Sequence, residues 1–279
     1  MAESRWVCDE IDMGYTERKL SESAYLIQGD KNESMYLING KDRSLLIDAG
    51  MEDESLRVFC DKLTDKDIIC VLTHGHFDHI GKCGEFNEVY LDHKDLNMYR
   101  EQSSGSMSPV DNFVCKDADE VKKMEDVYDL GDREIHTIPL PGHTPGSVIF
   151  LDPFDKAVYC GDAVGSGCGV LMVNGLGSLS LEGYRKGLEE ALIRLKEAGV
   201  DENWKFYGGH DGQEYHSRTC EYNPPTLKLI EDMKLLCEKM IEGTTHTEES
   251  IKDTAFGRVK EIIGIEGNAE MQLMIKEDQ

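Results

Sequence analysis

The sequence predicts an α/β fold, and three observations carry that prediction. Short apolar runs of strand length recur through the first 160 residues, each bounded by turn-forming residues. Two longer segments, 181–198 and 224–242, instead repeat their apolar residues at helical spacing. Histidines and aspartates gather directly behind the strand-type runs, the place where open α/β sheets build their sites. The densest group is Thr73-His74-Gly75-His76-Phe77-Asp78-His79, which follows the apolar run Ile68-Ile69-Cys70-Val71-Leu72. His74 and His76 are two apart and can point the same way from an extended segment. Asp78 and His79 follow where the chain can turn into a helix, so one loop can serve two neighbouring points.

The elements follow in order. Trp6 to Tyr15 reads as a first strand with imperfect alternation. Ala24–Gln28, Ser34–Ile38 and Ser44–Asp48 form an antiparallel meander, turned by 29–32 and by Asn39-Gly40, a strong hairpin pair. Residues 52–63 have helical spacing, with Leu56, Phe59, Cys60 and Leu63 on one face. Strands at 68–72 and 88–91 follow, and Asp92 caps a helix over 93–100. The Ser/Gly-rich 102–109 reads as a mobile loop, continuing irregularly to 123. Glu134–Ile138 is a strand, and Ser147–Leu151 with Ala157–Cys160 a second hairpin. Gly161 to Gly177 holds six glycines and reads as a loop with no element of its own. Ser180 caps the helix 181–198, Lys205–Tyr207 is a short strand, and Pro224-Pro225 starts the helix that runs to about Glu242. The tail predicts a further helix near 249–263 and a final edge strand over Ala269–Ile275. No linker divides the chain, so 1–279 is expected to be one domain, with a core over about 24–215 and an extension over 216–279.

Composition limits the partners. The chain has 279 residues, 55 acidic against 30 basic, and a formal net charge of −25. Such a surface repels phosphate backbones and anionic bilayers, so neither nucleic acid nor membrane is an expected partner. The nine cysteines are odd in number and none is spaced C-x-x-C, which fits free thiols in a reducing compartment. The start Met1-Ala2-Glu3-Ser4-Arg5-Trp6 lacks the basic and apolar regions of a signal peptide, so a cytoplasmic location is expected.

Further candidates occupy the same kind of position as the histidine loop. His143 lies in Pro141-Gly142-His143-Thr144-Pro145-Gly146 between two strands. Asp162 follows a strand in Gly161-Asp162-Ala163, and His210 follows another in Gly208-Gly209-His210. Neutral imidazoles and carboxylates suit zinc, iron and manganese alike. Phe77, Tyr207 and His216 stand close to these residues in sequence and are candidate substrate contacts. His93, His136 and His246 read as packing or surface residues.

The segments T-H-G-H-F-D-H at 73–79, G-H-T-P-G-S at 142–147, G-D-A at 161–163 and G-G-H at 208–210 resemble, in order and spacing, those of the metallo-β-lactamase fold superfamily. That resemblance implies a four-layer αββα sandwich, here with a helical carboxyl-terminal extension. It implies two divalent metal ions, zinc first, with iron and manganese as alternatives. His74, His76 and His143 would hold one ion, Asp78, His79 and His210 the second, and Asp162 would bridge them. A water shared by two such ions is ionised near neutral pH, and both ions stabilise the anionic transition state. Asp78 lies near both and is also the candidate proton shuttle to the leaving group.

The subgroup is narrowed by departures. An aspartate at 162 disfavours the antibiotic-degrading branch, and the resemblance is closer to the glyoxalase II, lactonase and general hydrolase branch. The acidic tail lacks the basic cluster with which glyoxalase II enzymes hold glutathione, and Val164-Gly165-Ser166 stands where acyl-homoserine lactonases carry a tyrosine. Cys168 is not needed as a ligand because His210 fills that role. His76 argues against the flavin-linked diiron reductases, which have glutamate there. The expected activity is hydrolysis of a small ester, thioester or lactone, with loops 102–118 and 163–179 as a lid. The alternatives are an iron-dependent oxidoreductase of the sulfur dioxygenase type and a non-catalytic metal- or ligand-sensing protein. A homodimer is the state common among relatives.

Overall fold

The computed structural model describes residues 14–104, 113–165, 169–174, 177–211, 224–254 and 257–276. The first sheet orders its seven strands as they come in sequence. They are β1 (Thr16–Lys19), β2 (Ala24–Gln28), β3 (Ser34–Asn39), β4 (Ser44–Ile47), β5 (Ile68–Val71), β6 (Glu88–Leu91) and β7 (Lys122–Lys123). The meander β1 to β4 is antiparallel, and β4 to β7 pair in parallel. Helices α1 (Leu56–Cys60), α2 (Phe77–Ile80) and α3 (Leu96–Gln102) lie in the connections between these strands. Serine 55 caps α1 through its side chain, and α1 is much shorter than the 52–63 its apolar spacing predicts.

The second sheet contains β8 (Val127–Asp129), β9 (Glu134–Pro139), β10 (Val148–Asp152), β11 (Ala157–Tyr159) and β13 (Lys205–Tyr207), in the order β13-β11-β10-β9-β8. The central strands read as unbroken apolar runs because both of their faces are buried. Leu45 and Ile47 of β4 enter the core between the sheets, and Leu46 enters the core under α1 and α3. In β10, Val148 and Phe150 face the first sheet, while Ile149 and Leu151 face helices α4 (Leu181–Glu197) and α5 (Leu227–Glu242). Helix, sheet, sheet, helix is the expected four-layer order. Ser180 accepts from the amide of Gly183 and so caps α4 as predicted.

Three expectations are corrected. The glycine-rich 161–177 is not a loop throughout, since β12 (Val170–Asn174) forms within it. Residues 249–263 are not a helix. They belong to β14 (Thr247–Thr254) and β15 (Gly257–Glu266), an antiparallel pair. The final strand β16 (Ala269–Lys276) is not an edge strand but lies between β12 and β15 in a third sheet, ordered β12-β16-β15-β14. The extension is therefore one helix followed by a three-stranded meander. Ile251, Val259 and Ile262 mimic helical spacing, and buried Glu261 breaks the alternation that would have exposed a strand. Its carboxylate is retained there by Ser250 at 2.9 Å, Lys252 at 2.6 Å and the amide of Gln272. The predicted strand at 6–15 lies almost wholly outside the described residues, as do His216, Cys168 and much of the two proposed lid loops. Among the described residues, no helix is long and apolar enough to cross a membrane.

Candidate metal centre

The carboxyl ends of β4, β5, β11 and β13 converge on one edge, and each delivers a polar residue there. From β5 the chain passes Thr73 and His74, then turns into α2 with His76 at its amino-terminal cap. From β11 it passes Gly161 to Asp162, and from β13 it passes Gly209 to His210. Gly209 donates its amide to the carbonyl of Gly161 at 2.9 Å, which carries the parallel pairing into the site. A side chain on Gly209 would collide with Asp162 Oδ1 at 2.4 Å and with the His79 ring at 2.9 Å. Only glycine leaves room for both.

The seven side chains singled out in the sequence lie together at this edge. In one trio, His76 Nδ1 lies 3.0 Å from His74 Nε2 and 2.9 Å from His143 Nε2. In the other, Asp78 Oδ2 lies 3.8 Å from His79 Nε2 and 3.5 Å from His210 Nε2. Asp162 stands between them, 3.7 Å from His143, 3.5 Å from His79 and 3.4 Å from His210. His74, His79, His143 and Asp162 are buried, whereas Asp78 and His210 keep part of their surface open to solvent.

The far sides of the rings are fixed by groups that sequence reading missed. Asp48 accepts the amide of Thr73 at 2.7 Å, its hydroxyl at 2.8 Å, and His79 Nδ1 at 2.9 Å. Because the Thr73 hydroxyl donates to Asp48, it accepts from His74 Nδ1, 3.0 Å away. Asp48 does this from a left-handed backbone, φ 62°, an uncommon conformation for a residue with a side chain. Asp95 is buried and binds the 73–79 loop to the 142–147 loop. It accepts from the amide of Gly75 at 3.1 Å, the amide of Gly146 at 2.7 Å and the hydroxyl of Thr144 at 2.6 Å. Burial pushes its carboxyl up against the pull of those bonds. His143 Nδ1 donates to the carbonyl of Leu171 at 2.7 Å. Tyr184 of α4 donates to the carbonyl of Ala163 at 2.6 Å and buttresses the segment behind Asp162.

The two trios differ electrostatically. Burial, then the neighbouring imidazoles, holds His74 well below the usual range and takes His76 down to about 3. At His79 burial also opposes the charge, but Asp162, Asp78 and Asp48 outweigh it and raise the ring. His210 is raised in the same way, burial being overcome mainly by Asp162. Asp162 is held well below the carboxylate range, because His210 and His79 outweigh its burial.

This donor set fits metal ions. The outer nitrogens of His74 and His143 are spent as donors, so their inner nitrogens carry lone pairs aimed at His76. One proton on His76 could satisfy only one of them, whereas a cation satisfies all three. His79 Nε2 is buried with no hydrogen-bond partner. The inner atoms of His74, His76 and His143 lie within 4.8 Å of one another, as do those of Asp78, His79 and His210.

The remaining candidates are placed differently. Phe77 opens α2, half-buried, with its amide donating to Gln102 at 2.7 Å. Tyr207 stacks on Tyr159 with ring centroids 5.4 Å apart and packs on Tyr36 at 5.6 Å. Its ring belongs to the core between the sheets.

A profile of the Metallo-beta-lactamase superfamily matches residues 28–210. The chain belongs to that superfamily. Among the relatives of this family member is the acyl-coenzyme A thioesterase MBLAC2 of Bos taurus, 26% identical over 231 residues, covering 70% of this chain and 81% of that protein. The hydroxyacylglutathione hydrolase of Prochlorococcus marinus (strain NATL1A) is 26% identical over 187 residues, covering 65% and 66%. Among solved structures, TTHA1623 in a di-iron-bound form superposes with a TM-score of 0.51 at 25% identity, covering 74% of this chain and 96% of that one.

Proposed function

We propose that the protein is a binuclear metal-dependent hydrolase acting on a small acyl thioester, with His74, His76 and His143 holding one ion, Asp78, His79 and His210 the other, and Asp162 shared. The observation that carries this reading is Asp162, which stands within 3.7 Å of the first trio and 3.4–3.5 Å of the second. The choice of thioester over other esters rests on the similarity to a thioesterase acting on acyl-coenzyme A and to a hydrolase of hydroxyacylglutathione.

Two divalent ions so held would supply a water ionised near neutral pH and would polarise the acyl carbonyl. The chain's own groups do the rest. Asp48, Thr73 and the Leu171 carbonyl fix the ring orientations before substrate arrives, so no reorganisation is needed during reaction. Asp78 is one-fifth exposed, at the open side of the site, and from there it can pass a proton toward the departing sulfur. Phe77, beside it on the same helix, is the proposed substrate contact at the rim.

The test is a substrate panel followed by thiol release: acyl-coenzyme A thioesters, a hydroxyacyl-glutathione, carboxylic esters, a lactone and a phosphodiester, each with zinc-, iron- or manganese-loaded protein. Thioester cleavage that is abolished by chelation and by His76→Ala is the expected result. Turnover that survives both changes, or oxygen consumption with a persulfide in place of hydrolysis, would overturn the proposal.

A further inference from the structure

The carboxyl-terminal meander lies outside residues 28–210, and nothing in the family match gives it a role. Its strand β16 pairs in parallel with β12 along the whole of β12, setting Val170 beside Met271 and Leu171 beside Gln272. Among the described residues β12 has no other neighbour in the third sheet. The carbonyl of Leu171 is the acceptor for His143 Nδ1 at 2.7 Å. Ser178 adds a second tie, accepting from the amide of Val173 at 2.9 Å and donating to the carbonyl of His143 at 2.8 Å. His143 is thus braced by a strand which is itself held in place by the last strand of the chain.

We infer that the meander β14–β16 is a positioning element of the metal centre: through β12 it fixes the tautomer and the direction of His143, and so the nitrogen that this ring offers. The inference rests on the proposed assignment of His143 as a ligand. Its physical basis is general. A ligating imidazole presents one nitrogen only when the other is committed to an acceptor, and loss of such an acceptor weakens metal affinity by about 10–100-fold. Here the acceptor is a main-chain carbonyl, so its position depends on strand pairing.

Gly169 gives a handle on that pairing. It opens β12 with φ +78°, and an added Cβ would meet the Glu270 carbonyl oxygen at 2.4 Å, so Gly169→Ala pries β12 from β16. Ser178→Ala is milder: it removes the bridge between the Val173 amide and the His143 carbonyl and leaves the β12–β16 pairing intact. Gly199→Ala strains the turn behind α4, φ +78°, and meets nothing within 4 Å, so it controls for a general loss of stability outside the meander.

In the full chain, zinc binding is measured by competition with a chromophoric chelator, and the histidine tautomers by long-range proton–nitrogen NMR of the metal-free protein. Gly169→Ala and Ser178→Ala are expected to weaken one of two zinc equivalents by about 10–100-fold and to leave the other unchanged. The His143 signal should shift from a pure Nδ1–H pattern to a mixture, while Gly199→Ala matches wild type. If Gly169→Ala fails to fold, Leu273→Ala, which loosens β16 opposite Met172, takes its place. Unchanged zinc affinity and tautomer in a folded variant with loosened β16 would overturn the inference even though the protein binds two ions. A wild-type chain that binds no metal would instead overturn the assignment of the site.

Discussion

The two trios of the centre occupy the same sheet edge and share Asp162, yet they are built from different chemistry. In the trio of His74, His76 and His143, burial disfavours the charged form of His74 and His76. Asp78, His79 and His210 mix charge, and their carboxylates keep protons on the histidines. In the absence of metal the second trio balances itself internally, as protonated rings beside carboxylates, and the first has nothing to balance. The difference teaches that one short loop can supply two unlike positions because what stands behind each ring, more than the ring itself, sets its charge.

The largest expected effect is at the residue common to both. Asp162→Ala should lower kcat/KM for a thioester by about 10²–10³-fold or more, measured by thiol release, as the shared electrostatic support is lost. A variant within tenfold of wild type would mean that the trios work independently.

Acidification should separate the two. The carboxylates that raise His79 and His210 make protons compete with a metal at the second position, so affinity there should fall as pH drops from 8 to 6. His74 and His76 are lowered by burial, so affinity at the first position should fall less over the same range. The check is a metal titration at pH 6, 7 and 8, and equal pH slopes at both positions would erase the contrast.

Asp48→Ala should blur the distinction from behind, since Asp48 binds His79 directly and His74 through Thr73. Weakening by about 10–100-fold is expected, at the second position first, in the same titration. The effect least felt by the metals is expected at Glu33. Its carboxylate is buried without a hydrogen-bond partner, and burial, then the charges of Glu52 and Asp78, raise it to about 7. The folded chain then binds a proton that the unfolded chain has released above about 4.5, so stability falls as pH rises from about 4.5 to about 7. Glu33→Gln should remove that loss, stabilising the metal-free protein by at most about 3 kcal/mol at pH 8 and not at all at pH 4, by denaturant melts.

The residues that meet at the centre were legible because each stands directly behind an apolar strand or beside glycines, and the sheet aligns strand ends without further information. Asp48 left a faint signal as an acid ending an apolar run. Asp95 left none, since its partners Gly75 and Thr144 are 20 and 49 residues away. The strand at 170–174 was hidden among glycines, and its pairing with β16 spans about a hundred residues. The hairpin at 247–266 was disguised by buried Glu261, whose polar partners come from the strands on either side. Local pattern carried what local sterics decide, and non-local pairing carried the rest.

The most direct test is an equilibrium titration of the metal-free full chain with cobalt(II), followed by its visible absorption at pH 7.5. Two equivalents per chain are expected, with distinct spectra and affinities, one lost in His143→Ala and the other in His210→Ala. A single equivalent lost equally in both variants would contradict a paired centre built from unlike halves.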